Sequence, residues 1–184
     1  MTQRYTVLRT GERTDRYTED IQAELKDIAT EFVVLAGSRD VFPETDLQAA
    51  CAFAQEKQLD VVMLECSYAS GDENATAVAK SGKKTGGLVH LDNMEELSSM
   101  PDDYDAVVYR RAALQGELPD PEHGYEMAAD AFYRVAEKKM AVGYLAGAEV
   151  QIGHPEKKDI SRNADNRESA WYLDCFASHC RRTI

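Results

Sequence analysis

Two adjacent carboxylates, Asp72 and Glu73, directly follow the run CSYASG, which combines small and hydroxyl-bearing residues. An ionised carboxylate beside a cleft can act as a nucleophile or as a general base. The apolar run before them predicts a strand, and the alanine-rich run ENATAVAKSGKK predicts a helix that begins near these acids. The positive end of the helix dipole would keep either carboxyl group ionised. In the simpler interpretation, Asp72 only caps this helix and Glu73 is an ordinary first-turn acid.

A second polar turn, with the sequence AGSRD, follows the apolar run FVVL. Gly37 would let the backbone approach a ligand closely, and Ser38 can donate a hydrogen bond. Arg39 can hold a phosphate or a carboxylate through two parallel hydrogen bonds. The alternative is an ordinary glycine turn with solvated charges.

Other motifs in the sequence do not complete a site. The run SGKKTGG resembles a phosphate-binding loop, but Ala77 stands where that motif needs glycine and Lys84 where it needs Ser or Thr. Cys175 and His179 would share a helix face beside Cys180, yet no second ligand pair has matching spacing. No G-x-S-x-G sequence marks a serine nucleophile. The sequence therefore predicts no metal site and no cofactor.

Strand and helix patterns alternate five times along residues 1–153, with short connections. This alternation predicts one α/β domain with a doubly wound, mainly parallel, five-stranded sheet of the Rossmann-like or flavodoxin-like type. The runs FVVLAG and DVVMLE are continuously apolar, which indicates strands covered on both faces. Ligands bind such sheets outside the carboxyl ends of the strands, so the turns that carry Arg39, Glu73 and Arg110 would share one edge.

The sequence also predicts three details of the helices. Thr45 or Asp46 would cap the helix ETDLQAACAFAQEKQ. The run ENATAVAKSGKK would be helical as far as Gly82. A long helix is predicted from about Tyr125 to Ala146, weakened near its end by glycines.

Residues 154–184 differ from the rest of the chain. A polar stretch leads into SAWYLDCFASHCRR, which predicts a short amphipathic helix that contains the only tryptophan. We expect this C-terminal helical extension to dock on the domain or on a neighbouring chain. The sequence therefore predicts that residues 154–184 join the chain to a second copy of itself, in a homo-oligomer, or to a protein partner.

Composition excludes several function classes. The formal net charge is −12, and an acidic surface repels phosphate backbones, so nucleic acid is not an expected partner. The longest apolar runs span only a few residues, far short of the roughly 20 that cross a bilayer. Four scattered cysteines and an N-terminus without an apolar signal core predict free thiols in a cytoplasmic protein.

The order of elements resembles the nucleoside 2-deoxyribosyltransferases and the related deoxynucleotide N-glycosidases. The matching residues are DVVMLE at 60–65, Ser70 with Gly71, ENATAVA at 73–79, and the turn TGERTDRY. The resemblance implies a small doubly wound fold in which Glu73 attacks the anomeric carbon of a deoxyribosyl group. The nucleobase would leave, and a glycosyl-enzyme intermediate would form.

The resemblance also implies a pocket for a nucleoside or a nucleotide around the two carboxylates. Its expected lining brings together residues from three turns, namely Arg13, Ser38, Arg39, Tyr68, Ser70 and Gly71. The alternative function is a non-catalytic Rossmann-like module. Such a module would serve assembly or nucleotide binding and would contact a partner through residues 154–184.

Overall fold

In the computed structural model, the described residues form one sheet and helices that cover it. The described residues are 3–10, 23–37, 39–69, 79–81, 87–89, 106–115, 131–132, 135, 138 and 140–153. Within them, seven strands form, namely β1 (Tyr5–Thr10), β2 (Phe32–Gly37), β3 (Val61–Ala69), β4 (Ala79–Ser81), β5 (Gly87–Val89), β6 (Val107–Arg110) and β7 (Val142–Gly153). The helices are α1 (Glu44–Lys57) and α2 (Arg111–Leu114), with further helical residues at 23–27, 131–132 and 135.

The strands form a single mixed sheet in the order β1-β2-β6-β3-β7-β5, and β4 pairs with β3. β1 is parallel to β2 and β3 is parallel to β7, whereas β6 is antiparallel to both β2 and β3. β4 and β5 are also antiparallel to their partners. The predicted α/β class is confirmed, but the mainly parallel five-stranded sheet is wrong, because the described residues form a mixed sheet of seven strands.

Apolar side chains cover both faces of the sheet. On one face, β-strand residues such as Val33 and Met63 pack with Leu114 and Phe132 from the helical segments. On the other face, a second group of strand residues packs against α1. The continuous apolar runs of β2 and β3 therefore belong to strands buried on both sides, as their sequence predicts.

Two predicted helices are wrong in part. β7 begins at Val142, inside the helix predicted to reach Ala146, because Val142 and Tyr144 are buried in the sheet core and pair with β3. Residues 79–81 form β4 rather than helix, because they pair with residues 66–68 of β3. In both places, sheet pairing outweighs local helix propensity, which tertiary contacts routinely override.

The predicted cap of α1 is also wrong. The helix begins after Pro43, and no side chain caps its first turn. Asp46 instead accepts a hydrogen bond from the Glu149 N–H, 2.7 Å away, and so joins the helix to β7. No helix in the described part of the chain has both the length and the apolar composition that a membrane crossing requires.

Cys51 gives a testable pH dependence. Burial, and secondarily the Glu31 carboxylate, raises the pKa of this thiol from 9.0 to about 11. The thiol ionises first in the unfolded chain, so its contribution to stability is complete below pH 9.0 and is lost as pH rises towards about 11. We expect a loss of roughly 2–3 kcal/mol across that window, measured by urea unfolding.

Cys51→Ala is the matched variant for this prediction. It removes the thiol but leaves every lysine and tyrosine that titrates at alkaline pH. The fall in unfolding free energy between about pH 8 and about pH 10.5 should be smaller in the variant than in the wild type. Equal falls in the unfolding free energy of the two proteins would contradict a raised pKa for the Cys51 thiol.

Candidate functional site

One edge of the sheet collects the carboxyl ends of four strands. Because β6 is antiparallel to both β2 and β3, those two strands run in the same direction, and β1 and β7 run with them. Ligands of α/β proteins bind outside this edge. Arg110 ends the antiparallel β6 and lies at the opposite edge, so its predicted place beside the ligand turns is wrong.

The turn that leaves β2, which we call the β2-exit turn (Gly37 and residues 39–41), is built around the carboxylate of Asp40. One oxygen, Oδ2, accepts the Gly37 N–H at 2.6 Å, and the other, Oδ1, accepts the Gly153 N–H at 2.9 Å. Asp40 is 7% exposed and is the buried charged residue of the described chain. Charge-assisted hydrogen bonds to both oxygens stabilise the carboxylate at this depth.

Two further contacts hold the β2-exit turn. Nη1 of Arg9, near the end of β1, donates to the carbonyl oxygens of Gly37 at 3.2 Å and of Asp40 at 3.0 Å. The backbones of Val41 and Gln151 exchange hydrogen bonds of 2.8 and 3.0 Å. The turn is therefore fixed to β1 on one side and to β7 on the other.

Close approach favours glycine at two positions here. A Cβ atom on Gly37 would lie 3.0 Å from the Asp40 carboxylate. A Cβ atom on Gly153 would lie 2.4 Å from the Cβ of Arg39 and 2.9 Å from its carbonyl oxygen. The absence of a side chain on Gly153 lets β7 pack directly against the β2-exit turn, and its absence on Gly37 leaves room for the Asp40 carboxylate.

Arg39 projects from this fixed turn. Its side chain is exposed, and within the part of the chain that the structure describes it makes no hydrogen bond or ion pair. A guanidinium presents a planar fork of donors that matches phosphate or carboxylate oxygens. The turn can thus offer a cation to an anionic ligand without breaking an ion pair to any other described residue.

The carboxylate of Glu65 on β3 holds the backbone of β7 by a hydrogen bond. The register of β3 with β7 shifts between Leu64 and Cys66, so residues 146–149 of β7 lie outside the paired register. We call these four residues the β7 excursion. Oε2 of Glu65 accepts the N–H of Gly147, which has φ of 82°, at 2.6 Å. Among the described residues, no group of three or more His, Cys, Asp or Glu side chains is arranged to hold a metal ion.

The structure places two of the predicted site residues. Arg39 lies on the β2-exit turn, and the backbone of Tyr68 lies in β3, paired with Ala79 and Ile152. The others fall outside the described residues, as do residues 154–184; they are Arg13, Ser38, Ser70, Gly71, Asp72 and Glu73. Because residues 79–81 belong to β4, the helix predicted to begin near Glu73 does not continue to Gly82.

Sequence reasoning missed Arg9, Asp40 and Gly153. Asp40 carries a local signal, since an Asp three residues after a glycine can close a turn by accepting that glycine's N–H. Gly153 carries none, because its partner Asp40 is 113 positions earlier in the chain. Arg9 is hidden for the same reason, at separations of 28 and 31 positions.

Comparisons with known proteins give structural matches only. No family model and no curated protein sequence matches the chain. The crystal structure of S. aureus TarS 1–349 in complex with UDP-GlcNAc is 20% identical, with a TM-score of 0.56 over 74% of this chain and 38% of that one. The complex with UDP is 20% identical, with a TM-score of 0.51 over 72% of this chain and 38% of the other.

A third structure, of TarS 1–349 without a named ligand, is 19% identical with a TM-score of 0.56 and covers 74% of this chain. This chain covers 40% of that structure, and so corresponds to less than half of the TarS fragment. At such identity the likeness concerns architecture alone. The chain shares an α/β fold with part of S. aureus TarS.

Proposed function

We propose that this chain binds the diphosphate of a nucleotide sugar at the β2-exit turn and processes that molecule by glycosyl transfer. The observation that carries the proposal is the exposed Arg39 on a fixed turn at the edge where α/β sheets bind ligands. The TarS structures of similar fold were solved with UDP-GlcNAc and with UDP, which supports this ligand class.

Charge gives the reason for an arginine at this position. The whole chain carries a formal net charge of −12, so its mean field repels a diphosphate. A local guanidinium offsets that repulsion through short-range, charge-assisted hydrogen bonds. In glycosyl transfer the hydroxyl group of an acceptor, or water, attacks the anomeric carbon, and the bond from that carbon to the diphosphate oxygen breaks. Arg39 would stabilise the negative charge that develops on the departing diphosphate.

Arg39→Ala tests the proposal. Loss of a charge-assisted contact worth about 1.5–3 kcal/mol should weaken UDP binding by roughly 10- to 100-fold, measured by titration calorimetry. Arg4→Ala is the matched control, because Arg4 is an exposed arginine before the start of β1, at the other end of that strand. Binding of UDP by Arg39→Ala as tightly as by the wild type would refute the role of this side chain.

Turnover is tested separately from binding. Release of UDP from UDP-GlcNAc, followed by chromatography, would support glycosyl transfer or hydrolysis. Tight UDP binding without release from any nucleotide sugar would favour the non-catalytic nucleotide-binding module. A wild-type chain that binds neither UDP nor UDP-GlcNAc at millimolar concentration would overturn the proposed function.

A second candidate is cleavage of an N-glycosidic bond, or deoxyribosyl transfer, with Glu73 as the nucleophile. It is favoured by the direction of β3, which ends at Ala69 on the same edge as Arg39 and precedes Glu73 in the sequence. Incubation with deoxynucleosides should then release free base. Glu73→Gln should reduce that release by at least about a hundredfold, since it removes the attacking oxygen's charge. Unchanged release in the variant would exclude the role of Glu73.

A further inference from the structure

We infer that Asp40 is a positioning residue for the anion-binding turn. Its carboxylate locks the β2-exit turn to the end of β7, and so presets Arg39 for a diphosphate before the ligand arrives. This inference rests on the proposed function for its ligand. The two hydrogen bonds of Asp40 to Gly37 and Gly153, which we call the lock, are a property of the fold.

The hydrogen bonds of Asp40 require a carboxylate. Each oxygen faces a backbone N–H, one from Gly37 at 2.6 Å and one from Gly153 at 2.9 Å. An asparagine has one acceptor oxygen, so its NH₂ group would face the second N–H as a donor against a donor. At 7% exposure, water has little access to compensate.

The backbone is fixed on both sides of Arg39 in the sequence. Arg39 lies immediately before Asp40, and its own backbone packs against Gly153. Arg9 bonds the carbonyl oxygens of Gly37 and Asp40, which bracket Arg39 in sequence. A side chain whose backbone is fixed loses less conformational freedom on binding, so more of its interaction energy appears as affinity.

Asp40 is better suited to this role than to proton transfer. A general base needs a lone pair that points to the substrate, within hydrogen-bond reach of the proton it takes. Here both oxygens already accept backbone N–H groups, and the side chain is buried. The effect of Asp40 on a ligand therefore passes through the turn that it holds.

Asp40→Asn is the test, and Asp46→Asn is its matched control. Asp46 also accepts a backbone N–H of the β7 excursion, from Glu149, but the structure records that bond on Oδ2 alone. An asparagine can keep one such bond, so the control should retain its link to β7. Both variants remove one negative charge, so a difference between them reflects the geometry of the lock.

Two measurements on the full chain separate the outcomes. Amide hydrogen exchange should accelerate at least about tenfold in Asp40→Asn at whichever of Gly37 and Gly153 loses its acceptor, and exchange at both should stay unchanged in Asp46→Asn. The Kd for UDP should rise by about tenfold or more in Asp40→Asn and by less than about twofold in Asp46→Asn. Asp40→Glu, which keeps the charge but displaces the carboxylate, should resemble Asp40→Asn, and it replaces that variant if the latter does not fold.

Unchanged exchange at both glycines would overturn the lock. Accelerated exchange with an unchanged Kd for UDP would overturn the positioning role and leave the proposed function standing. If the wild type binds no UDP, the proposed function and the positioning role fail together, while the exchange data still decide whether Asp40 locks the turn.

Discussion

Phe32→Ala is expected to lower the free energy of unfolding by about 3–5 kcal/mol, the usual cost of removing a buried aromatic ring. Phe32 is 1% exposed and begins β2, between β1 and β6. The Arg110 guanidinium lies over its ring, 5.1 Å from the centroid, and that cation–π contact is lost too. Urea unfolding followed by circular dichroism measures the change.

Phe32→Leu is the control for this prediction. Leucine keeps much of the apolar volume but has no aromatic face, so it should cost less than alanine. The interactions of Arg110 with the Glu31 carboxylate and the Leu59 carbonyl do not involve the ring. An alanine variant that loses less than about 1 kcal/mol would contradict the placement of Phe32 in the core.

Gly153→Ala is expected to disrupt both stability and UDP binding. The new methyl group would meet the Cβ, carbonyl carbon and carbonyl oxygen of Arg39 at 2.4–3.0 Å. Because backbone atoms cannot rotate away, β7 must separate from the β2-exit turn, with loss of the Gly153–Asp40 hydrogen bond. We expect a loss of about 2–4 kcal/mol in the free energy of unfolding, from overpacking and the unpaired amide. Urea unfolding and titration calorimetry with UDP measure the two effects.

Gly147→Ala is a useful comparison, because it strains the same strand without a steric clash. Gly147 has φ of 82°, and a Cβ atom added to it would have no neighbour within 4 Å. Alanine there should cost about 1–2 kcal/mol from backbone conformation alone. It should leave UDP affinity unchanged, and equal loss of affinity in both glycine variants would contradict the role of the turn.

The strands that form the sheet core were largely predictable. β1, β2, β3 and β6, together with α1, lie where their local sequence patterns place them. Strand direction was not predictable, because the apolar run of β6 reads the same whether it is parallel or antiparallel. The start of β7 was missed because alanine, glycine and small apolar residues fit helix and strand alike, and burial against β3 decides between them.

The candidate site was likewise predictable only in part. A glycine followed by Ser-Arg-Asp after an apolar run predicts a turn with an available cation, and Arg39 lies on such a turn. The residues that fix the turn come from the end of β1 and the end of β7. Only the completed sheet brings them together, so no local pattern could reveal them.

The position of β3 has a consequence for synthesis of the chain. Its described partners, β4, β6 and β7, all follow it in sequence, and the carboxylate of its neighbour Asp60 accepts the N–H of Ala141, 81 positions later. During translation, β3 therefore emerges as an apolar strand with both edges open. β4 can pair with only the last part of one edge, and the edge that takes β7 stays open until residues 142–153 leave the ribosome, so the nascent chain is exposed to aggregation throughout that interval.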